Sequence, residues 1–340
     1  MSNQSSPSGL RRQLGLLGLA ATGICSMLGA SVYVVPFMIQ RNVDGIGDWV
    51  LPAFLFAAIP ALLAAISYGT LASAMPRAGG SYIYASRGLH PYLGFVASFS
   101  QWFGLSIVIG VIAYVIPPFF RDIAVALEWN DLAVMLDTGA VRVGLALLMI
   151  WGFVGVNVMG AKFYERTLIP MMFVMFALGA IVVVAGFSFD HADFAAALME
   201  RENRSVPEAT APFDIAKFLA AAALLFASFI GFDAIAQAGG EAKNPGRNLP
   251  LAIGIAILTV GSYYFVFTAA VYHAVPWPFV AEEAMAKDIT APGLLSYLLP
   301  PAWAGAIVLG AAIALINDLP AMLLAVSRLM FAWAEDGIFP

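Results

Sequence analysis

Asp318 has the most chemistry to explain in this sequence. It follows Asn317 and precedes Pro320 near the middle of an apolar run that extends from about 301 to 334. An ionised carboxylate at that depth costs at least ~2.5–3.5 kcal/mol to insert, so by default it is functional or paired. Four roles fit it: coordinating Na⁺, carrying a proton, pairing with a substrate amine, or holding a structural hydrogen bond while protonated. Pro320 removes a backbone donor and can free the carbonyl of Ile316. A second acid, Asp233, follows Gly231 and Phe232 in another apolar run, where gating, an interior hydrogen bond and plain structural support are all open. Gln101 and Trp102 sit in a third, where lining a cavity and simple packing are equally good accounts.

Two clusters of small residues accompany these groups. Residues 23–31 read Gly-Ile-Cys-Ser-Met-Leu-Gly-Ala-Ser, and residues 227–231 read Ala-Ser-Phe-Ile-Gly. Backbone so poorly matched to lipid survives where it is buried in protein or lines a cavity. Close helix packing through small residues is the competing account of either cluster alone. The second cluster opens a longer stretch, 226–250, that passes through Gly239 and Gly240 into a charged, proline-bearing segment.

These residues must be positioned by membrane helices. The chain has 340 residues, 61% of them hydrophobic and 11% charged, with a mean hydropathy of +0.88. Soluble domains carry roughly a quarter charged residues. The apolar runs last about 20 residues, enough for a helix to cross ~30 Å of hydrocarbon, whereas a barrel shows alternating segments of about ten. Cys25 is the single cysteine, so an internal disulfide and a thiolate metal cluster are both excluded. Eight spans are predicted: 14–40, 49–74, 91–119 (ending at Pro117 and Pro118), 141–158, 168–187, one from 213, 251–275 and 301–334. The connectors 77–90, 190–212 and 276–300, and the polar stretch that holds Arg121, Asp122, Glu128, Asp131 and Asp137, are read as loops. A tail, 1–13, precedes the first span. No paired catalytic acids, no metal-ligand spacing and no nucleophile–base pair appear within a span, and no channel-type filter or charge ring is visible. An enzyme is therefore not expected, nor is a nucleic-acid partner; the partners are the bilayer and a small molecule.

Loop charge sets the orientation. With the N-terminus inside, the inner segments hold Arg11, Arg12, Arg77, Arg87, Lys162, Arg166, Lys243, Arg247 and Arg328, against seven basic residues outside. The majority is thin, but the inner loops are short and the outer ones acidic, which favours a cytoplasmic N-terminus.

The two small-residue clusters lie five spans apart. Transporters built from inverted repeats place broken helices at corresponding positions in their halves, with half-helix N-termini toward anionic groups and freed carbonyls toward cations. The expected division is a first repeat over 14–189, an extracellular loop over 190–212, and three spans of an incomplete second repeat over 213–340.

Four motifs in register carry a family resemblance. They are Met27-Leu28-Gly29-Ala30-Ser31-Val32-Tyr33 with Pro36; Met75-Pro76-Arg77-Ala78-Gly79-Gly80-Ser81-Tyr82; Gly231-Phe232-Asp233 with the segment Glu241 to Pro250; and Ser327-Arg328 with Glu335 to Pro340. Together they resemble the amino acid–polyamine–organocation (APC) superfamily of permeases, in its amino acid permease branch. The resemblance implies an all-α transmembrane bundle with a five-plus-five inverted repeat, broken at helices 1 and 6. It implies a secondary transporter of amino acids or related amines in the plasma membrane, the cytoplasmic membrane of a prokaryote. A polyamine or organocation exchanger and a non-transporting fragment are its alternatives. Family members have twelve helices, so the chain reads as truncated after the eighth. The substrate carboxylate would rest on the amides of Gly29, Ala30 and Ser31. Its amine would meet carbonyls near Ile24, Phe226, Ala227 and Phe229, beside Ser228 and Gly231, with Phe229 as an aromatic lid. No cofactor is implied beyond a coupling ion, H⁺ or Na⁺, the latter near Asp318. The lysine of proton-coupled relatives falls at Met175, which leaves Na⁺ coupling or exchange open, and Thr70 replaces a frequent glutamate. His273 is read as interfacial. Glu241, Lys243 and Arg247 are read as gate ion pairs or lipid contacts.

Overall fold

The computed structural model describes residues 10–339; the first nine residues of the expected tail and Pro340 lie outside the described residues. The described helices are α1 (Leu16–Met27), α2 (Ser31–Asn42), α3 (Val50–Ala74), α4 (Gly80–Gly88), α5 (Pro91–Ala126), α6 (Asn130–Asp137), α7 (Gly139–Val158), α8 (Ala161–Ser188), α9 (His191–Glu202), α10 (Ile215–Phe226), α11 (Asp233–Gln237), α12 (Pro245–Ala274), α13 (Trp277–Ala286), α14 (Ala291–Leu295) and α15 (Pro301–Glu335). Eight segments among them are long and apolar enough to span a membrane. Span 1 is α1 plus α2, and span 6 is α10 plus α11 with 3₁₀ turns beside them. The one isolated β-bridge among the described residues joins Leu14 to Ala242.

Burial orders the bundle. The most apolar windows of spans 1 and 8 are 83% and 72% buried, and that of span 4 is 6%. Spans 1 and 8 are thus the axis, and span 4 is peripheral, with one side packed on α5 and α15. The α12 helix packs against α1, α3 and α8, and α15 against α1, α5 and α8. Small residues make these approaches close, as hydrophobic driving force between helices is absent in lipid.

Several boundaries differ from expectation. Pro117 and Pro118 do not end span 3, because α5 runs on to Ala126. A membrane helix tolerates proline where packing and local adjustment re-satisfy the freed carbonyls. Span 5 starts at Ala161, taking in Lys162, Glu165 and Arg166, and span 7 starts at Pro245, a position where proline's missing N–H costs nothing. The connectors read as loops contain short helices: α4 in 77–90, α9 in 190–212, α13 and α14 in 276–300, and α6 in the polar stretch after span 3. The α9 helix has a reciprocal capping box, Asp190 with Asp193, visible in the sequence as acids three apart.

Polar networks close both ends. At the proximal end, which carries the N-terminal residues, the amides of Gln13 and Leu14 both donate to the Glu241 carbonyl at 2.9 Å, and the Lys243 amide returns to the Leu14 carbonyl at 2.9 Å. Arg328 grips the Glu241 carboxylate through Nε and Nη2 at 2.9 and 2.8 Å. Arg87 and the Tyr82 hydroxyl both donate to Asp336. At the distal end Arg204 bridges Glu202, Glu282 and Glu283 at 2.8–3.0 Å, and the Tyr297 hydroxyl donates to Glu202. Those bonds from Tyr297 and Arg204 hold the Glu202 carboxyl below its usual range. For Glu283, burial pushes upward, but Lys287 and Arg204 outweigh it and the net direction is down.

Two outcomes are expected. Arg328→Met leaves Glu241 buried without its partner and lowers stability by about 3–5 kcal/mol, while the double variant Glu241→Met/Arg328→Met recovers most of the loss; thermal unfolding in detergent reads both. The distal network holds carboxyls that are lowered in the folded state. Its stabilisation is therefore present above their unfolded pKa, near ~4.3, and is lost as pH falls through their depressed folded values. Arg204→Met should lower the melting temperature at pH 7 and change it little in acid below that range.

Candidate functional site

The break in span 1 falls at Leu28, Gly29 and Ala30. An uninterrupted helix would bond the amides of Gly29, Ala30 and Ser31 to the carbonyls of Cys25, Ser26 and Met27. None of those three backbone bonds forms, and the three amides reach no other backbone acceptor among the described residues. The Ile24 carbonyl, by contrast, accepts from the Leu28 amide at 2.8 Å. The carbonyls freed by the break are thus those of Cys25, Ser26 and Met27, one turn-position beyond the expected Ile24. All lie at the centre of the most buried span.

The break in span 6 follows the 3₁₀ turn Ala227–Phe229. Ile230 is extended, and Gly231 has φ +128, a region L side chains rarely adopt. Phe226 closes α10, Ala227 opens the 3₁₀ turn, Ser228 is buried within it, and Asp233 starts α11. A Cβ on Gly231 would strike the carbonyl and hydroxyl of Ser26. The two breaks therefore touch, backbone against backbone.

The third wall is α15. A Cβ on Gly29 would strike the Asp318 carboxylate, so this acid lies directly against the break in span 1. Asp318 is 4% exposed and Asn317 fully buried. The Asp318 Oδ1 and both amide atoms of Asn317 make no hydrogen bond among the described residues. A carboxylate so placed demands a counter-charge or a proton. The carbonyl of Ile316 attracts no side-chain donor among the described residues; the Asn157 amide reaches the Pro320 carbonyl instead, at 3.4 Å.

An aromatic file covers the breaks on another side. Phe229 is 1% exposed, so its ring is nearly enclosed by its neighbours. Its ring lies 5.2 Å from that of Phe54, which stacks on Tyr264 at 5.5 Å and 22°. The Tyr264 hydroxyl is hydrogen-bonded to the Ser31 hydroxyl. Phe229 of one break is thereby tied, through two rings and a hydrogen bond, to Ser31 of the other. Sequence reasoning missed Tyr264 and Phe54. The available signal was Tyr263-Tyr264 in mid-span, since a buried tyrosine hydroxyl usually finds a partner.

Gln101 and Asp233 also meet. The Gln101 amide donates to the Asp233 carboxylate, and its carbonyl accepts from Gln237 Nε2 at 3.0 Å. Gln237 continues the chain to Ser81, and Ser81 to the Tyr68 hydroxyl. Trp102 takes no part; it packs edge-on against Trp333, 5.9 Å away, on α15. Met175 is buried on α8 and Lys162 exposed at that helix's start. His273 lies at the distal end of α12, against the carbonyls of Gly186 and Phe189. Among the described residues no cluster of three or more His, Cys, Asp or Glu could hold a metal. The donors at the breaks are backbone carbonyls, one carboxylate and one amide oxygen, a hard-oxygen set of the kind that suits alkali and alkaline-earth cations rather than zinc.

The comparison with known proteins agrees with this architecture. The chain is similar to human (Homo sapiens) cationic amino acid transporter 4, at 27% identity over 97% of this chain and 51% of that protein. It is similar to the branched-chain amino acid permease BcaP of Bacillus subtilis, at 25% identity over 99% of this chain and 70% of that one. The methylthioribose transporter of the same bacterium is 23% identical over 100% and 71%. The chain spans about half the length of the first of these relatives. The model of the amino acid permease family matches residues 14–340, all but the first 13 residues of the sequence. With eight membrane-spanning helices, two of them broken, and that match along its length, the chain belongs to the amino acid permease family.

Proposed function

We propose that the chain forms the substrate-binding part of a secondary transporter of amino acids or related amines that works by alternating access. The observation that carries this reading is the run of three unbonded amides at Gly29, Ala30 and Ser31, backed by the span 6 break through Gly231 and Ser26. Amides at the start of α2 suit a carboxylate, by hydrogen bonding and by the helix dipole. The freed carbonyls of Cys25, Ser26 and Met27, with those of the 3₁₀ turn Ala227–Phe229, suit an ammonium. Both ends of a zwitterion are then met by backbone, which leaves the side chain to be read by residues from other helices. Phe229, with Phe54 and Tyr264, is the lid on the distal side. The Glu241–Arg328 pair is the matching closure at the proximal end, read as cytoplasmic from its basic residues. The 14–189 segment is the first repeat and 213–340 the incomplete second.

Asp318 is the coupling group in this proposal. It touches the span 1 break, so a cation on its carboxylate and on the freed carbonyls would fix α1 against α15. A proton on it would remove the charge that repels the substrate carboxylate at the neighbouring amides. The names of the relatives run from cationic and branched-chain amino acids to methylthioribose, so the proposal names the amino acid class and no member of it.

Three measurements test it in proteoliposomes of the full-length protein. Saturable, stereoselective uptake of an L-amino acid is expected, and uptake that never saturates would indicate a pore. Gly29→Ala inserts a methyl between the break and Asp318 and should abolish binding. Because that change can also unfold the site, Ser31→Ala is the companion variant: it keeps the amide, loses only the bond to Tyr264, and should weaken binding no more than about tenfold. Asp318→Asn should remove the dependence of uptake on Na⁺ or pH. Unchanged uptake with an unchanged ion response would exclude Asp318 as the coupling group.

A further inference from the structure

The seam between α3 and α12 holds two adjoining grooves on the lipid-facing surface. One, of about 300 Å³, includes Phe54, Phe229 and Gly261 in its walls. The other, of about 410 Å³, runs past Gly69, Thr70, Ser73, Pro250 and Gly254. Leu62 and Leu258 line both, so the two adjoin along the seam. Leu258 is 61% and Ile66 66% exposed, which opens the seam to the bilayer along its length.

Length and charge identify what fits. From Leu62 to Ser73 is eleven residues (73 − 62), about 16 Å of helix, and half of a ~30 Å hydrocarbon core is about 15 Å. The proximal groove therefore has the depth of one leaflet. At its mouth Arg247 precedes Pro250 by three residues, Gly254 by seven and Leu258 by eleven, so it shares their face of α12. Lys243 lies just outside the helix, two residues before its first residue, Pro245. Both are exposed, and neither forms an ion pair among the described residues, although Arg328 beside them is fully engaged with Glu241. An apolar groove one leaflet deep, with two uncommitted cations where the headgroups lie, is complementary to an anionic lipid.

We propose that the α3–α12 seam binds an anionic phospholipid of the proximal leaflet. Its phosphate meets Arg247 and Lys243, and one acyl chain lies over Gly69 and Gly254. The chain terminus enters the second groove, against Phe229 and Phe54. If the lid reading of Phe229 holds, the lipid braces that lid from outside the transport path; the binding itself does not depend on that reading.

Native mass spectrometry of the full-length protein, offered phosphatidylglycerol and phosphatidylcholine in equal amounts, tests the proposal without any transport measurement. Phosphatidylglycerol is expected to be retained preferentially. Arg247→Gln and Lys243→Gln should each reduce that preference about fivefold and leave phosphatidylcholine unaffected. A Cβ on Gly254 meets nothing within 4 Å and Gly254 lines the groove, so Gly254→Leu adds bulk there and should displace both lipids. Equal retention of the two lipids by the wild type, or unchanged retention in all three variants, overturns the proposal. It also fails if Gly254→Leu alters the oligomeric state and not lipid retention, because a second copy then occupies the seam.

Discussion

Backbone amides and carbonyls cannot be left to face hydrocarbon, and the whole arrangement follows from where this chain breaks that rule twice. Each break leaves several peptide groups without helical partners. They persist because each is buried against the other and against α15: Gly231 on Ser26, Gly29 on Asp318. Both contacts require a residue without a side chain. The same constraint puts spans 1 and 8 at the axis and leaves spans 3 and 4 to face lipid. Polarity at the centre of this bundle is thus local and deliberate, enclosed by helices whose outer surfaces are plain apolar residues.

The ends of the molecule are held differently from its middle. Around the breaks the contacts are backbone, small residues, aromatic rings and the single carboxylate of Asp318. At the proximal end closure depends on a nearly buried ion pair, Glu241 with Arg328, and at the distal end on the exposed Arg204 network. Breaking the first in a low-dielectric setting is costly unless water enters with the separation, whereas the second is already hydrated. The proximal pair is therefore the costlier of the two to separate.

Much of the fold was legible because lipid simplifies the code. Apolar run length gave the eight spans, and the small-residue clusters gave both interruptions to within a residue or two. The errors were at the boundaries. Pro117 and Pro118 looked like a terminus because in water they usually are one; inside a membrane bundle α5 carries them through. The short helices α4, α9, α13 and α14 lie at the ends of the bundle, where polar composition masks helical periodicity. At the site, Asp318 stood out by its cost, but its contact with Gly29 joins residues 289 positions apart (318 − 29) that no local pattern connects. Tyr264 was hidden for the opposite reason, as one more aromatic residue in an aromatic-rich chain. Trp102, for which lining a cavity and simple packing were equally good accounts, packs against Trp333.

The bridge between Leu14 and Ala242 also has a meaning in time. Its partners are separated by 228 residues (242 − 14), and a ribosome needs roughly 10–45 seconds to cover that distance at 5–20 residues per second. Asp318 is made later still. For that whole interval the first span is in or near the membrane without the spans that enclose its break. A continuous helix, with Gly29 bonded to Cys25 in the ordinary way, is the form such a segment can hold alone in lipid. The enclosure of the broken span is then complete only when the sixth and eighth spans have arrived.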